Sequence, residues 1–81
     1  MTMTEIMMKE INNDLSMYKT WSDKFFSADT KEEIEYYRGC MLRSRYRAEA
    51  KEELAHALGY TVLFSDGRDE CIAIYPMEFD D

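Results

Sequence analysis

Apolar side chains recur at helical spacing through the first third of the chain. On a wheel turning about 100° per residue, Met7, Met8, Ile11, Leu15, Tyr18, Phe25 and Phe26 fall within about a third of a turn, diluted only by Ser22. Glu5, Lys9, Asn12, Ser16, Lys19 and Asp23 make up its polar side. The pattern predicts an amphipathic helix over residues 5–26. It breaks at Ser27-Ala28-Asp29-Thr30, where Thr30 and Glu33 have the spacing of a capping box: the hydroxyl accepts from the Glu33 amide and the carboxylate reaches back to the Thr30 amide. A second helix is predicted from there over 31–58, closed by Gly59, which can take the left-handed conformation that commonly ends a helix.

Unbroken, the second helix would be about 42 Å long at 1.5 Å per residue, against a diameter of roughly 30 Å for a spherical domain of this size. Either the molecule is elongated or the helix kinks near Gly39; an elongated antiparallel pair with a bend allowed at Gly39 is expected. Two faces of this helix are predicted to be covered. Tyr37, Met41, Ser44, Ala48 and Ala55 form a narrow seam of mostly small side chains, suited to close approach of the first helix. Tyr36, Tyr46, Ala50, Leu54 and Leu58 form a broader flank that needs a second cover.

The end of the chain offers that cover. Residues 60–65 alternate and are rich in β-formers, Asp66-Gly67 is a turn signal, and residues 70–75 form a second strand ended by Pro76. A four-residue loop, Asp66-Gly67-Arg68-Asp69, sets Phe64 opposite Cys71, Val62 opposite Ala73 and Tyr60 opposite Tyr75, an apolar set on one face; a two-residue loop would set Phe64 opposite Asp69. The fold class expected is therefore α+β in one domain over 1–81: two antiparallel helices followed by a C-terminal β-hairpin packed on them, with a short acidic tail over 77–81. Two strands alone are marginal in water, so the hairpin must rest on the helices or pair through an edge with a second copy, and a homodimer is an alternative.

Composition narrows the class. Hydrophobic residues are 46% and charged residues 33% of the 81, a globular balance rather than a disordered one. No apolar run approaches the roughly 18 residues a transmembrane helix needs, and Glu5, Lys9 and Glu10 interrupt the methionine-rich start, so neither a membrane span nor a secretory leader is expected. Cys40 and Cys71 are far apart and form no spaced framework, which fits reduced, packed thiols in the cytoplasm. The net charge of −7 is uneven: −4 over residues 1–35, +2 over 36–58 and −5 over 59–81. The basic minority concentrates in the second helix.

Candidate chemistry is sparse. His56 follows Glu52 by four residues, the spacing of an oriented base but more simply that of helix support. Cys40, His56 and Cys71 lack zinc-site spacing, the acids around Gly67 lack the repeat of a calcium loop, and Gly39, Gly59 and Gly67 build no phosphate loop. No catalytic residue, metal or cofactor is expected. Two charge clusters stand out instead. Arg43, Arg47 and Lys51 form a stripe at four-residue spacing beside Tyr36; like charges so placed repel, and arginine with tyrosine is the composition of interface hot spots. Its stems can alternatively cover the core edge while its charges pair internally, and a phosphate target is disfavoured by the overall acidity. The other cluster, Asp66, Asp69, Glu70, Glu78, Asp80 and Asp81, can imitate phosphates toward a basic cleft or serve as a solubilising rim.

In size, acidity and lack of catalytic groups the chain resembles phage-encoded inhibitors of host defence, anti-CRISPR proteins among them, a likeness of general character carried by no particular residues. It implies a protein-binding module that inhibits a larger protein, a nuclease or defence effector, by mimicry or by steric blocking, with direct nucleic-acid binding disfavoured. The competing expectation is a homo-oligomeric structural or regulatory protein, or an antitoxin-like subunit.

Overall fold

A computed structural model describes residues 1–77. Helix α1 (Met3–Phe26) and helix α2 (Lys31–Ala57) form an antiparallel pair, followed by strand β1 (Tyr60–Phe64), a short 3-10 turn (Asp66–Arg68) and strand β2 (Cys71–Pro76). The α+β order expected from the pattern is the one observed. Helix α1 starts earlier than its apolar stripe because Thr2 supplies a cap, its hydroxyl accepting from the Glu5 amide at 3.2 Å. Thr30 caps α2 in the same way, accepting from the Glu33 amide at 3.1 Å. The carboxylate half of that capping box is not formed among the described residues. Gly59, at φ +90°, ends α2 by donating to the His56 carbonyl at 3.0 Å.

Helix α2 runs through Gly39 without interruption, and the molecule takes the elongated option, 56 Å long and only 23 and 19 Å across. The small seam does bring the helices together: Ser44, Ala48 and Ala55 are buried, with Cys40 beside them. At the end of the pair that carries the hairpin, Ile11, Ala55, Val62, Cys71 and Ile74 form the core, with Met7, Met8, Leu15, Tyr60 and Phe64 packed around it. Strand β2 lies on α1 and β1 lies on α2. Toward the interhelical turn the pair is held by aromatics instead: Trp21 stacks on Tyr37, ring centroids 5.9 Å apart, and meets Tyr36 edge-on at 6.1 Å.

The hairpin register departs from the expected one beyond its first pair. Phe64 does face Cys71 across the four-residue loop, but a bulge then skips Ile72, so that Leu63 pairs with Ala73, Val62 with Ile74 and Tyr60 with Pro76. A regular ladder would have turned Cys71, Ala73 and Tyr75 inward and left Ile74 in water. The bulge changes the parity once, burying both Cys71 and Ile74 while Ile72 and Tyr75 face out. Beside the bulge, Asn12 takes up the backbone amide and carbonyl of Cys71. Its amide donates to the Cys71 carbonyl at 3.0 Å, and its carbonyl accepts from the Cys71 amide at 2.7 Å. Asn12 therefore belongs to the covered side of α1, not to the polar face where its wheel position put it. Phe26, expected in the apolar stripe, is 80% exposed because the helix pair ends at that turn.

The hairpin does not cover the flank it was expected to cover. Tyr36, Tyr46, Ala50, Leu54 and Leu58 are all exposed, Tyr36 by 60% and Leu54 and Leu58 by 58% each. The anchors lie on the opposite side of the pair: Asn12 holds β2, and Glu52 accepts from Arg68 of the hairpin turn at 2.6 Å. With the chain tied at both points, the sheet lies over that side and leaves the other open.

Candidate functional site

On α2, the turn-by-turn direction from Glu52, which faces the hairpin, to Arg43, Arg47 and Leu54 is about half a turn of helix. On α1, the same rotation from Asn12 leads to Met3, Ile6, Glu10 and Met17. These residues make one face of the helix pair, with nothing packed over it among the described residues. At its terminal end, Ile6, Met7, Leu54 and Leu58 line an almost wholly apolar groove of about 220 Å³ floored by Ile11 and Ala55. Ile6, Leu54 and Leu58 rim this opening onto the core and stay 43%, 58% and 58% exposed, a contiguous apolar patch left open at the surface. Ile6 was legible only as an apolar residue outside the expected stripe.

Glu10 and Lys51 also line the groove, and Lys51 is the member of the basic stripe that is neutralised among the described residues. Lys51 places its ammonium 2.7 Å from Oδ2 of buried Asp14 and 3.3 Å from Glu10. That Oδ2 has no hydrogen bond of good direction, and the ion pair is what neutralises it. The bond to Asp14, aided by Glu10 and opposed by partial burial, holds the Lys51 ammonium above the usual lysine range. Arg43 and Arg47 are different. Arg43 bonds the Gly39 carbonyl of its own helix at 3.3 Å and approaches Cys40 Sγ at 3.6 Å. Neither arginine has a carboxylate within ion-pair distance among the described residues, and both are exposed. The stripe thus splits into one structural lysine and two arginines that present their charge to solvent, next to exposed Tyr36.

The acidic cluster is brought together only in part. Asp66, Asp69 and Glu70 surround the hairpin tip and are exposed. Gly67 at φ +80° and Arg68 at φ +60° make that turn possible, and Arg68 covers the Phe64 ring at 4.1 Å. Glu78, Asp80 and Asp81 lie outside the described residues. A wider cleft of about 360 Å³ lies where the hairpin tip ends over the helix pair, with Leu15, Tyr18 and Phe64 as its apolar wall and charges of both signs around it.

The remaining candidates are placed apart. His56 is exposed, and Glu52 points to Arg68 rather than to it. Cys40 and Cys71 are buried free thiols, and burial pushes the Cys71 thiol up, away from the thiolate that would react. Among the described residues no group of three His, Cys, Asp or Glu side chains is arranged to hold a metal ion, and no helix is long and apolar enough to cross a membrane. Comparison with known proteins finds no family model, no curated protein and no solved structure that matches this chain.

Proposed function

We propose that this chain is a small acidic protein-binding module that acts by occupying a larger protein through the open face of its helix pair, and that the protein it occupies is a nucleic-acid-processing enzyme that it inhibits. The observation that carries the reading is the uncovered strip on α2 and α1, where Tyr36, Leu54, Leu58 and Ile6 remain exposed beside two arginines that have no carboxylate partner among the described residues. Aromatic, aliphatic and arginine side chains around a concave apolar patch are the composition of a desolvating interface. Steric occupation is favoured over phosphate mimicry, because three of the six acids counted toward mimicry sit at the hairpin tip, away from this face.

The test is capture from a host lysate on immobilised protein, with Leu54→Glu/Leu58→Glu beside the wild type and helical circular dichroism as the folding control. A partner held by the wild type and lost by the variant is expected. Identical captured sets would overturn the role of the face. A captured nuclease that keeps full activity at saturation would remove inhibition and leave binding alone. Self-association is the second reading, favoured by a sheet that has only two strands among the described residues. Light scattering over a range of concentrations decides it: a monomer throughout removes it.

A further inference from the structure

We propose that the occupant of the open face is an α-helix of a different protein, apolar along one stripe and acidic on its flanks, lying lengthwise in the groove between α1 and α2. This rests on reading that face as a binding surface and goes beyond it in fixing the partner's shape and charge.

Shape follows from the backbone. Both walls of the groove are helices, and away from their ends their own amides and carbonyls are paired within the helix, so along its length they offer an incoming chain no main-chain hydrogen bonds. An extended segment laid there would bury unsatisfied backbone. A helix satisfies its backbone internally and needs only apolar side chains at one-turn spacing to meet Ile6, Leu54 and Leu58. The molecule is 19 Å thick in its shortest direction, about two layers of secondary structure, so the pair has room for a helix on the side opposite the hairpin.

Charge follows from the arginines. Arg43 and Arg47 are one turn apart, exposed, and without a carboxylate partner among the described residues, in a protein whose net charge is −7. An acidic flank on the partner pairs with them as the apolar stripe desolvates the groove. A second copy placed with its two-fold axis across the middle of α2 would set Arg43 and Arg47 against their own counterparts, like charge facing like. A two-fold centred on the groove would not, and a concentration-dependent dimer is its signature.

The experiment uses full-length protein and two fluorescent synthetic helical peptides with the same leucine stripe, one flanked by glutamate and the other by lysine. Anisotropy titrations at low salt should show the glutamate peptide binding at least about tenfold more tightly than the lysine peptide, with the preference shrinking as salt is raised. Arg43→Glu/Arg47→Glu, two exposed positions, should reverse the order of the peptides, and Leu54→Asp should weaken both. Equal binding of the two peptides, or a preference for lysine in the wild type, overturns the charge assignment. Failure of both peptides to bind overturns the helical occupant. If lysate capture still depends on Leu54 and Leu58 in that case, the binding-surface reading stands and this proposal alone falls; if it does not, both fall. A concentration-dependent dimer of the wild type, abolished by Leu54→Asp, assigns the face to a second copy and also overturns the proposal.

Discussion

Two polar side chains of α1 decide how this protein is held together, and neither advertises itself in the chain. Asn12 satisfies both backbone groups of Cys71 at the bulge, across 59 positions of sequence. Asn12→Ala leaves a part-buried amide and carbonyl without partners, at a cost of about 1–3 kcal/mol. Urea unfolding should show a lower midpoint with nearly unchanged slope, whereas Asn12→Asp, which keeps only the acceptor, should lie between the two. Asp14 is the other. Lys51→Met strands a buried carboxylate and should cost about 1–2 kcal/mol, toward the low end because the Lys51 side chain is itself 35% exposed. Adding Asp14→Leu should restore much of the loss, since an apolar pair needs no neutralisation. The pH dependence has a definite sign. The folded lysine holds its proton more tightly than the ordinary value of 10.5, so the contribution is complete below that pH and disappears as pH rises through the higher folded value. The stability gap between wild type and Lys51→Met should stay level from neutral pH to about 10.5 and close above it; a gap closing near neutrality would refute the pairing.

The elements themselves were legible because their signals are local. Thr30 with Glu33, Gly59, and Asp66-Gly67 mark boundaries within a few residues, and the structure starts and ends α2 and turns the hairpin where they stand. The side on which the hairpin lies was not legible. It depends on Asn12 meeting Cys71 and on Glu52 meeting Arg68, and Asn12, Glu52 and Arg68 are residues that periodicity or the turn assigns to solvent. The bulge was equally hidden: only packing against the helices reveals that burying Ile74 with Cys71 outweighs a regular ladder. The open face is the consequence of that one unread choice, since the flank of Leu54 and Leu58 had been assigned a cover that went to the other side. Within α2, Gly39 is a local weakness with no compensating contact. A Cβ added there would meet only the end of the flexible Arg43 side chain, at 3.9 Å, and the backbone is already helical. Gly39→Ala should therefore stabilise the protein by about 0.5–1 kcal/mol in denaturant unfolding without changing the circular dichroism spectrum.

At the scale of the whole molecule, length creates two regions of unequal support. The hairpin and its core brace the end of the helix pair that holds Ile11 and Ala55, while the end that holds Phe25, Phe26 and the interhelical turn has, among the described residues, helix–helix contacts alone. Trp21, the one tryptophan, sits in the second region, stacked on Tyr37 with the Lys24 ammonium 5.6 Å above its ring. Local opening follows the density of buried apolar contact, so the aromatic end should open at lower free energy than the braced end. Amide exchange should be slowest around Ile11, Ala55, Val62 and Ile74 and should quicken along both helices toward Ser27. Trp21 fluorescence should begin to change at denaturant concentrations where the far-ultraviolet signal is still native. Coincident transitions by the two probes, with uniform protection along α2, would mean that the pair unfolds as one unit and that the aromatic stack alone matches the hairpin as a brace. The distinction bears on binding, because a helix laid along the open face would span both regions and couple them. In a bound complex the exchange of the aromatic end should slow by more than that of the core, even where the partner touches neither Ser27 nor Thr30.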